Sequence, residues 1–346
     1  MLERKMFKRA LSFDDVLLRP LYSSITTRSD VDTTVQLDRN ITMRMPLFAA
    51  PMDTIMSSYM ACAVDEAGGI GILHRYCSIQ EQVEMLRSAL TYTTRREPIV
   101  FAAVGVTNDY MHRIEALIEA GIAGICVDVA HGHNTNVIKA IENIRGTFPR
   151  DLHIMAGNVA TLKGFSSLAE AGADSIRVGI GGGSICSTRI QTGHGIPTFE
   201  SVLECSRSEH DAILIADGGI KNSGDIVKAL AAGADAVMVG RLLAGTIEAP
   251  GEIIHNPPHP PRKVYRGMAS IEAQRAWRGK SSSNEGVSRT VPSIGPVKDI
   301  LMEIDRGIRS GLSYSGARNI LELQAKAEFI TQSSAGMRES STHIDS

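Results

Sequence analysis

The stretch from Gly179 to Arg189 reads GIGGGSICSTR and combines backbone freedom with groups that can do covalent chemistry. Either its glycines let the backbone approach an ion or a ligand closely, or they make the segment a flexible connector. Cys186 follows these glycines, at a place where backbone N–H groups can stabilise a thiolate or a bound anion. A thiolate attacks electrophilic carbon, so Cys186 is interpreted as either a nucleophile or an inert loop cysteine.

The remaining cysteines lie in apolar helical or strand-like settings, where cysteine is usually a small buried hydrophobe: Cys62, Cys77, Cys126 and Cys205. The five cysteines are odd in number and show no CxxC spacing. This pattern argues against a disulfide framework and against a structural zinc site.

The segment DVAHGH offers metal-ligand side chains in Asp128, His131 and His133. Two histidines two residues apart on a glycine loop, with no further His or Cys motif, form only a weak zinc signature. We therefore expect this segment to contact a substrate or a cofactor.

Two further glycine-containing segments, ADGGIKNSGD and MVGRLLAG, follow the last two apolar runs that we interpret as strands. Glycine N–H groups and a helix N-terminus at that position suit a phosphate, and Asp217 could then accept hydrogen bonds from ribose hydroxyls. The alternative is a pair of tight turns. Together with the glycine loop before Cys186, the pattern favours a nucleotide phosphate.

Eight short apolar runs alternate with amphipathic stretches along the chain and predict the elements that position these loops. Four of the runs follow a helix-ending phrase with a glycine, as in EAGG near residue 66 and EAGA near residue 170. Strands that alternate with helices imply a parallel sheet, and eight such units match a closed (β/α)8 TIM barrel. An open doubly wound sheet is the alternative. In the barrel, Cys186 follows the sixth strand and faces the mouth.

The charge and hydropathy of the chain indicate which classes of partner it is expected to bind. Lys and Arg number 36 against 38 Asp and Glu, and no basic run occurs, so nucleic acid is not expected as a partner. No apolar stretch approaches the roughly 20 residues of a membrane span, and no secretory signal opens the chain. We expect a cytoplasmic protein with no membrane association, a single catalytic domain over residues 1–346.

The barrel pattern stops near residue 250. Residues 252–292 are rich in Pro, Gly, Ser and basic residues and are interpreted as an active-site flap, with a polar linker as the alternative. Glu285 lies in this segment and suits a proton relay if the flap closes over the cysteine. A closing helix pair follows, and residues 331–346 are expected to be a disordered tail.

At this point the chain resembles the IMP dehydrogenase and GMP reductase family over nearly its whole length. The resemblance rests on motifs that include SFDDVLLRP, APMDT, VDVAHGH, AGNVAT, VGIGGGSICSTR, YRGMAS and GLSYSGARNILEL. It implies that Cys186 forms a covalent adduct at C2 of a purine nucleotide. It also implies a homotetramer.

The resemblance assigns further site residues. Carbonyl groups of Gly181, Gly183 and Cys186 are expected to bind K⁺. The GMP or IMP nucleotide is expected to be held by Met52, Ser184, Asp217, Gly219, Gly240, Arg241, Tyr265, Gly267, Met268 and Ala269. The cofactor is expected to contact Asp128, Asn158, Gly179 and Ser270.

Within this family the sequence favours the reductase type, in which GMP is converted to IMP and ammonia with NADPH. Thr188 and Glu285 match the Thr and Glu pair of the reductases, and no Arg-Tyr dipeptide lies between Met268 and Glu285. The regulatory CBS pair common in dehydrogenases is also missing. YRGMAS and the C-terminal tail resemble bacterial dehydrogenases, so the alternative is an IMP dehydrogenase that uses NAD. Less favoured is a non-catalytic nucleotide sensor.

Overall fold

The structure is a computed structural model that describes residues 8–107, 109–148, 150–282 and 284–340. The first three strands are short and lie outside the main sheet: β1 (Val16–Leu18), β2 (Val35–Gln36) and β3 (Thr42–Met43). Strands β2 and β3 form an antiparallel hairpin.

Within the described residues, eight parallel strands close into a barrel, with the last strand pairing with the first. In chain order they are β4 (Leu47–Ala49), β5 (Ile70–Leu73), β6 (Val100–Val104), β7 (Gly124–Asp128), β8 (His153–Val159), β9 (Ser175–Val178), β10 (Ile213–Asp217) and β11 (Ala236–Val239). Every one of these strands coincides with a run expected from the sequence. The predicted (β/α)8 TIM barrel is therefore confirmed.

Helices surround the barrel and bury the outer faces of its strands. They are α1 (Ser58–Ala67), α2 (Ile79–Tyr92), α3 (Tyr110–Glu119), α4 (Thr135–Thr147), α5 (Leu162–Glu170), α7 (Thr198–Cys205) and α8 (Ser223–Ala231). The five-residue helix α6 (Thr188–Thr192) has no buried residue and belongs to the loop after β9. The glycines of the four helix-ending phrases, Gly68, Gly121, Gly172 and Gly233, have φ between +91° and +108°. This left-handed conformation ends a helix at little cost only when the residue lacks a Cβ.

The segment at residues 252–292 is more regular than its composition suggested. It contains β12 (Ile254–Asn256), β13 (His259–Arg266), α9 (Ile271–Arg278) and β14 (Ser288–Pro292), and the three strands form an antiparallel sheet. We call residues 252–292 the flap. The closing helices α10 (Val297–Tyr314) and α11 (Ile320–Lys326) follow it, in agreement with the sequence.

The described part of the predicted tail, residues 331–340, contains regular structure. β15 (Phe329–Thr331), whose last residue begins that tail, pairs antiparallel with β1, and a short helix α12 (Ser334–Glu339) follows. Gln332 fixes this segment, because its backbone and side chain both donate hydrogen bonds to carbonyl groups near β1. Such pairing partners lie more than 300 residues away in the chain, so the local polar composition gave no sign of them. Residues 341–346 lie outside the described residues.

Across the described ranges, no helix combines the length and the apolar composition that crossing a lipid bilayer requires.

Candidate active site

A cavity of about 480 Å³ opens at the carboxyl ends of the barrel strands, where TIM barrels carry their chemistry. Its volume lies in the range usual for small-molecule sites. Most of the residues that the sequence analysis assigned to the site line it: Met52, Asn158, Gly179, Gly181, Gly183, Ser184, Cys186, Thr188, Asp217, Gly219, Gly240, Arg241, Tyr265, Gly267, Met268, Ala269 and Glu285. Asp128 and Ser270 do not line it.

Two of the glycines before Cys186 are required because their loop lies close to the end of β10 and the start of α7. Gly179 has φ +149°, and a Cβ there would fall 1.9 Å from the carbonyl oxygen of Asp217. A Cβ on Gly182 would fall 2.4 Å from Thr198 Oγ1. A side chain at Gly179 would therefore push the loop after β9 away from the end of β10, and a side chain at Gly182 would push it away from α7. The segment is a packed part of the site and not a simple connector.

This close packing leaves backbone donors at the cavity wall. Among the described residues, the N–H groups of Gly182, Gly183, Ser184, Gly219 and Gly240 make no hydrogen bond to a protein acceptor. They come from loops that follow three neighbouring strands, β9, β10 and β11. Converging N–H groups without protein acceptors suit an anion, and we call these five N–H groups the anion site.

Cys186, Thr188 and Glu285 form a hydrogen-bonded series at the cavity. Cys186 Sγ donates to Thr188 Oγ1 at 3.2 Å, and Thr188 Oγ1 donates to Glu285 Oε2 at 2.9 Å. The backbone holds these partners together, because Ser187 N donates to the Glu285 carbonyl at 2.9 Å and Cys186 forms a β-bridge with Gly286. The series connects a nucleophile to a carboxylate through one hydroxyl.

Cys186 differs from the other cysteines in its surroundings. It is exposed to the cavity, whereas Cys62, Cys126 and Cys205 are buried and Cys77 is half-buried. Burial raises the pKa of Cys126 and of Cys205 to about 12 and that of Cys77 to about 11. These buried thiols are poor nucleophiles, as the sequence indicated.

A buried ion network, which the sequence analysis missed, lies at the end of the barrel next to the cavity. Arg177, in β9, donates to Asp128 Oδ1 at 2.7 Å and through Nη2 to Asp217 Oδ2 at 2.9 Å. Arg75 adds a second guanidinium, at 3.5 Å from Asp128 Oδ2. Burial alone would raise the pKa of Asp128, but the Arg177 and Arg75 guanidinium groups hold it below its ordinary value. The signal was an arginine inside the otherwise apolar strand SIRV.

This network changes the interpretation of two predicted residues. Asp217 is not wholly free for a ligand, because its Oδ2 also accepts a hydrogen bond from Asn158 Nδ2 at 2.7 Å. Within the described residues its Oδ1 has no protein donor, so one oxygen remains for a ligand hydroxyl. Asp128 is engaged by both guanidinium groups and stands outside the cavity wall.

Polar side chains stand near the N–H groups of the anion site. Tyr265 is buried and hydrogen-bonded with Ser184. Burial raises the pKa of Tyr265, while the Ser184 hydrogen bond and the nearby Arg241 guanidinium act in the opposite direction. Arg241 is exposed and forms no ion pair or side-chain hydrogen bond with any residue that the structure describes. Lys221, another cation at the cavity, is paired with Asp14 at 2.5 Å.

The flap closes one side of the cavity. Arg266 Nη2 lies 2.5 Å from Asp53 Oδ2 in the loop after β4, and Met268 Sδ accepts a hydrogen bond from Asp53 N at 3.3 Å. Ser270 does not line the cavity; its buried hydroxyl accepts a hydrogen bond from Ala273 N and caps α9. Serine before a helix commonly has this capping role, and the resemblance alone did not reveal it.

Comparisons with known proteins agree with this geometry. A family model described as the IMP dehydrogenase / GMP reductase domain matches residues 10–343. The inosine-5'-monophosphate dehydrogenase of Nitrosopumilus maritimus is 35% identical, over 97% of this chain and 98% of its own length. The GMP reductase of Leishmania major is 31% identical, over 96% of both chains. A crystal structure of GMP reductase from Trypanosoma brucei in complex with guanosine 5'-monophosphate has a TM-score of 0.91 at 31% identity, covering 98% of this chain and 99% of that one.

The alignment lengths correct one sequence argument. The alignments to the two curated relatives span 472 and 475 positions, while this chain has 346 residues. Each relative therefore carries at least 126 residues (472 less 346) that this chain lacks. In this chain α2 is the one element between β5 and β6, so the described residues 74–99 contain no CBS domain. Because a relative named GMP reductase also carries the extra length, the missing insert does not favour the reductase type.

The family model matches nearly the whole chain, and the barrel agrees with the similar GMP reductase structure. The chain belongs to the IMP dehydrogenase / GMP reductase family, whose members are oxidoreductases that use a nicotinamide dinucleotide.

Proposed function

We propose that the protein is a GMP reductase, which converts GMP to IMP and ammonia with NADPH. The observation that carries the proposal is the series Cys186–Thr188–Glu285, with its hydrogen bonds of 3.2 and 2.9 Å. This series links a thiol to a carboxylate that can hold and release one proton. A reductive deamination needs both groups, because carbon C2 must be attacked and its amine must leave protonated.

The proton follows the hydrogen bonds. The Cys186 thiol passes its proton through the Thr188 hydroxyl to Glu285, and the thiolate forms a C–S bond at C2 of GMP. Glu285 then gives the proton to the exocyclic nitrogen, the C2–N bond breaks, and ammonia leaves. A hydride adds to C2, the C–S bond breaks, and the thiolate takes a proton from solvent. The sum is GMP, NADPH and one proton giving IMP, NADP⁺ and ammonia.

The nucleotide is held by complementary groups. The 5'-phosphate accepts hydrogen bonds from the free N–H groups of the glycine loops and pairs with Arg241, with Ser184 and Tyr265 beside it. Asp217 Oδ1 accepts from a ribose hydroxyl. The base lies against Met52, Met268 and Ala269, within reach of Cys186. The GMP bound to the similar Trypanosoma brucei structure supports a purine nucleotide in this cavity.

The described residues fit a nicotinamide beside the base. Asn158 brings an amide to the cavity wall, and the methionine side chains provide an apolar surface for a weakly polar ring. When bound, NADPH supplies the hydride that C2 accepts. Asn158 donates a hydrogen bond to Asp217, which binds Arg177, and Arg177 in turn binds Asp128. These contacts fix the position of the Asn158 amide. Gly179 accepts the second hydrogen bond of the Asn158 amide, at 2.9 Å.

We also propose that the loop around Cys186 binds K⁺. Carbonyl oxygens are the ligands that K⁺ takes in proteins, and the loop offers those of Gly181, Gly183 and Cys186. The Gly183 carbonyl also accepts a hydrogen bond from Cys186 N at 3.1 Å, and the Arg189 side chain packs against Gly181. A bound K⁺ would hold the loop in place. Activity in potassium buffer compared with choline buffer tests this assignment.

An IMP dehydrogenase that uses NAD is the second candidate, because the relative from Nitrosopumilus maritimus carries that name and is 35% identical, against 31% for the Leishmania major GMP reductase. The absorbance of the reduced nicotinamide separates the two activities. We expect it to fall with GMP and NADPH. A rise with IMP and NAD, and no change with GMP and NADPH, would favour the dehydrogenase.

We also propose that the protein is a homotetramer in the cytoplasm. Light scattering tests the number of subunits.

A further inference from the structure

A stack of four side chains joins the flap to the barrel: Arg75 and Tyr76 belong to the barrel, and Trp277 and Arg278 belong to the flap. Tyr76, in the loop after β5, stacks on Trp277 of α9 with ring centroids 4.3 Å apart and planes at 18°. The Arg278 guanidinium lies 4.0 Å from the Trp277 ring centroid, and that of Arg75 lies 5.4 Å from the Tyr76 centroid. Aromatic pairs and guanidinium contacts of this kind are attractive.

The barrel side of the stack is fixed by the buried ion network. Arg75 donates to the Asp128 carbonyl at 3.1 Å and lies 3.5 Å from the Asp128 carboxylate. Asp128 in turn binds Arg177. Tyr76 therefore contacts an arginine that buried ion pairs hold in place.

The flap side of the stack leads to Glu285. Gln274, one turn before Trp277 in α9, is buried, and its Oε1 accepts hydrogen bonds from Ser282 N at 2.9 Å and Ser282 Oγ at 3.2 Å. Ser270, at the start of α9, forms a β-bridge with Gly286. Ser270 and Gly286 are therefore side by side, and the described residues between them, 271–282 and 284–285, form an excursion that contains Trp277 in α9 and ends at Glu285.

We propose that Tyr76 and Trp277 are positioning residues, which hold α9 against the barrel and thereby keep the Glu285 carboxylate on Thr188. The inference rests on the proposed function, since it concerns the proton that Glu285 gives to the leaving amine. Without the stack, α9 loses its contact with the loop after β5, while the Ser270–Gly286 bridge and the hydrogen bond from Ser187 N to the Glu285 carbonyl remain. The carboxylate then spends less time at 2.9 Å from Thr188 Oγ1.

Steady-state kinetics with GMP and NADPH test the inference. We expect Trp277→Ala to lower kcat about tenfold while KM for GMP changes by less than about twofold, since the nucleotide contacts lie elsewhere. Trp277→Phe keeps an aromatic face and should recover most of the rate. Tyr76→Leu removes the stack from the barrel side and should match Trp277→Ala. Tyr92→Leu is the control, because Tyr92 stacks on Tyr59 away from the flap and should leave kcat unchanged.

A double variant shows whether Trp277 acts through Glu285. If it does, Trp277→Ala adds nothing in a Glu285→Gln background. A kcat in the double variant that is lower than in Glu285→Gln by the full Trp277→Ala factor would overturn the inference. A parental kcat in Trp277→Ala, or equal losses of kcat in Trp277→Ala and Trp277→Phe, would also overturn it.

A second readout is independent of activity, because Trp277 is the only tryptophan in the chain. Acrylamide should quench its fluorescence weakly in the parent and more strongly in Tyr76→Leu, and equal quenching would show that the stack does not form. Failure of the parent to release ammonia would instead overturn the proposed function, and the role of Glu285 with it. Parental activity with unchanged variant kinetics would overturn the inference alone.

Discussion

Thr188 Oγ1 donates a hydrogen bond of 2.9 Å to Glu285 Oε2 although 97 positions separate the two residues in the chain. Thr188 begins the short helix α6 after the cysteine loop, and Glu285 ends the excursion of the flap that contains α9. The contact therefore exists only when the flap lies on the barrel. It joins the nucleophile's loop to an acid from a different part of the fold.

Replacing the acid separates binding from deamination. Glu285→Gln keeps the size and hydrogen-bonding capacity of the side chain but cannot carry the proton. We expect kcat for ammonia release to fall by roughly 10²- to 10⁴-fold, the usual contribution of a general acid, with little change in the Kd for GMP. Ammonia release at the parental rate would show that another group protonates the amine.

Replacing the nucleophile removes the covalent step. Cys186→Ala should bind GMP but form no adduct, and its turnover should fall below detection in the same assay. Mass spectrometry of the acid-quenched parent during turnover should find the nucleotide mass on the peptide that contains Cys186. The buried Cys205 serves as the control, because Cys205→Ala should retain the adduct. Turnover by Cys186→Ala would rule out the covalent mechanism.

Arg241 tests the anion site. A guanidinium hydrogen-bonded to a phosphate contributes more than a neutral donor, so Arg241→Ala should raise the Kd for GMP by roughly 10- to 100-fold. The Kd for guanosine, which has no phosphate, should stay the same. Arg207→Ala, an exposed arginine at the end of α7, is the matched control and should bind GMP normally. Equal weakening for GMP and guanosine in Arg241→Ala would mean that Arg241 acts on the fold and not on the phosphate.

Asp128 makes stability depend on pH. Its pKa is lower in the folded state than in the unfolded chain, so it stabilises the fold above the unfolded value of about 3.9. That contribution is lost as the pH falls through the folded value. Asp128→Asn leaves Arg177 with one carboxylate fewer and should cost about 3 kcal/mol of unfolding free energy near neutral pH.

The urea midpoints of the parent and of Asp128→Asn should therefore differ most near neutral pH and converge as the solution becomes more acidic than pH ~4. A difference that is constant across this range would mean that the loss comes from packing and not from the charge of Asp128.

The barrel was predictable because its signals are local. Each strand is a short apolar run, and the glycine after each of four helices is where the chain needs a positive φ, as at Gly68 and Gly172. Cys186 was identifiable in the same way, because the loop around it is unusual by itself.

What the sequence did not reveal depends on partners that are distant in the chain. Arg177 appeared only as one charge within a strand, and its two carboxylates come from other strands. For the same reason Asp217 was expected to be free for ribose, and the pairing of Phe329–Thr331 with β1 was not predicted. The sheet in the flap was missed because its strands contain prolines and lack sustained alternation.

Measuring NADPH consumption and ammonia release together, in one reaction with GMP, tests the reductase activity itself. We expect one ammonia per NADPH consumed, IMP as the nucleotide product, and loss of both signals in Cys186→Ala. NADPH that is not consumed in the presence of GMP, with NADH formed from IMP and NAD, would contradict it.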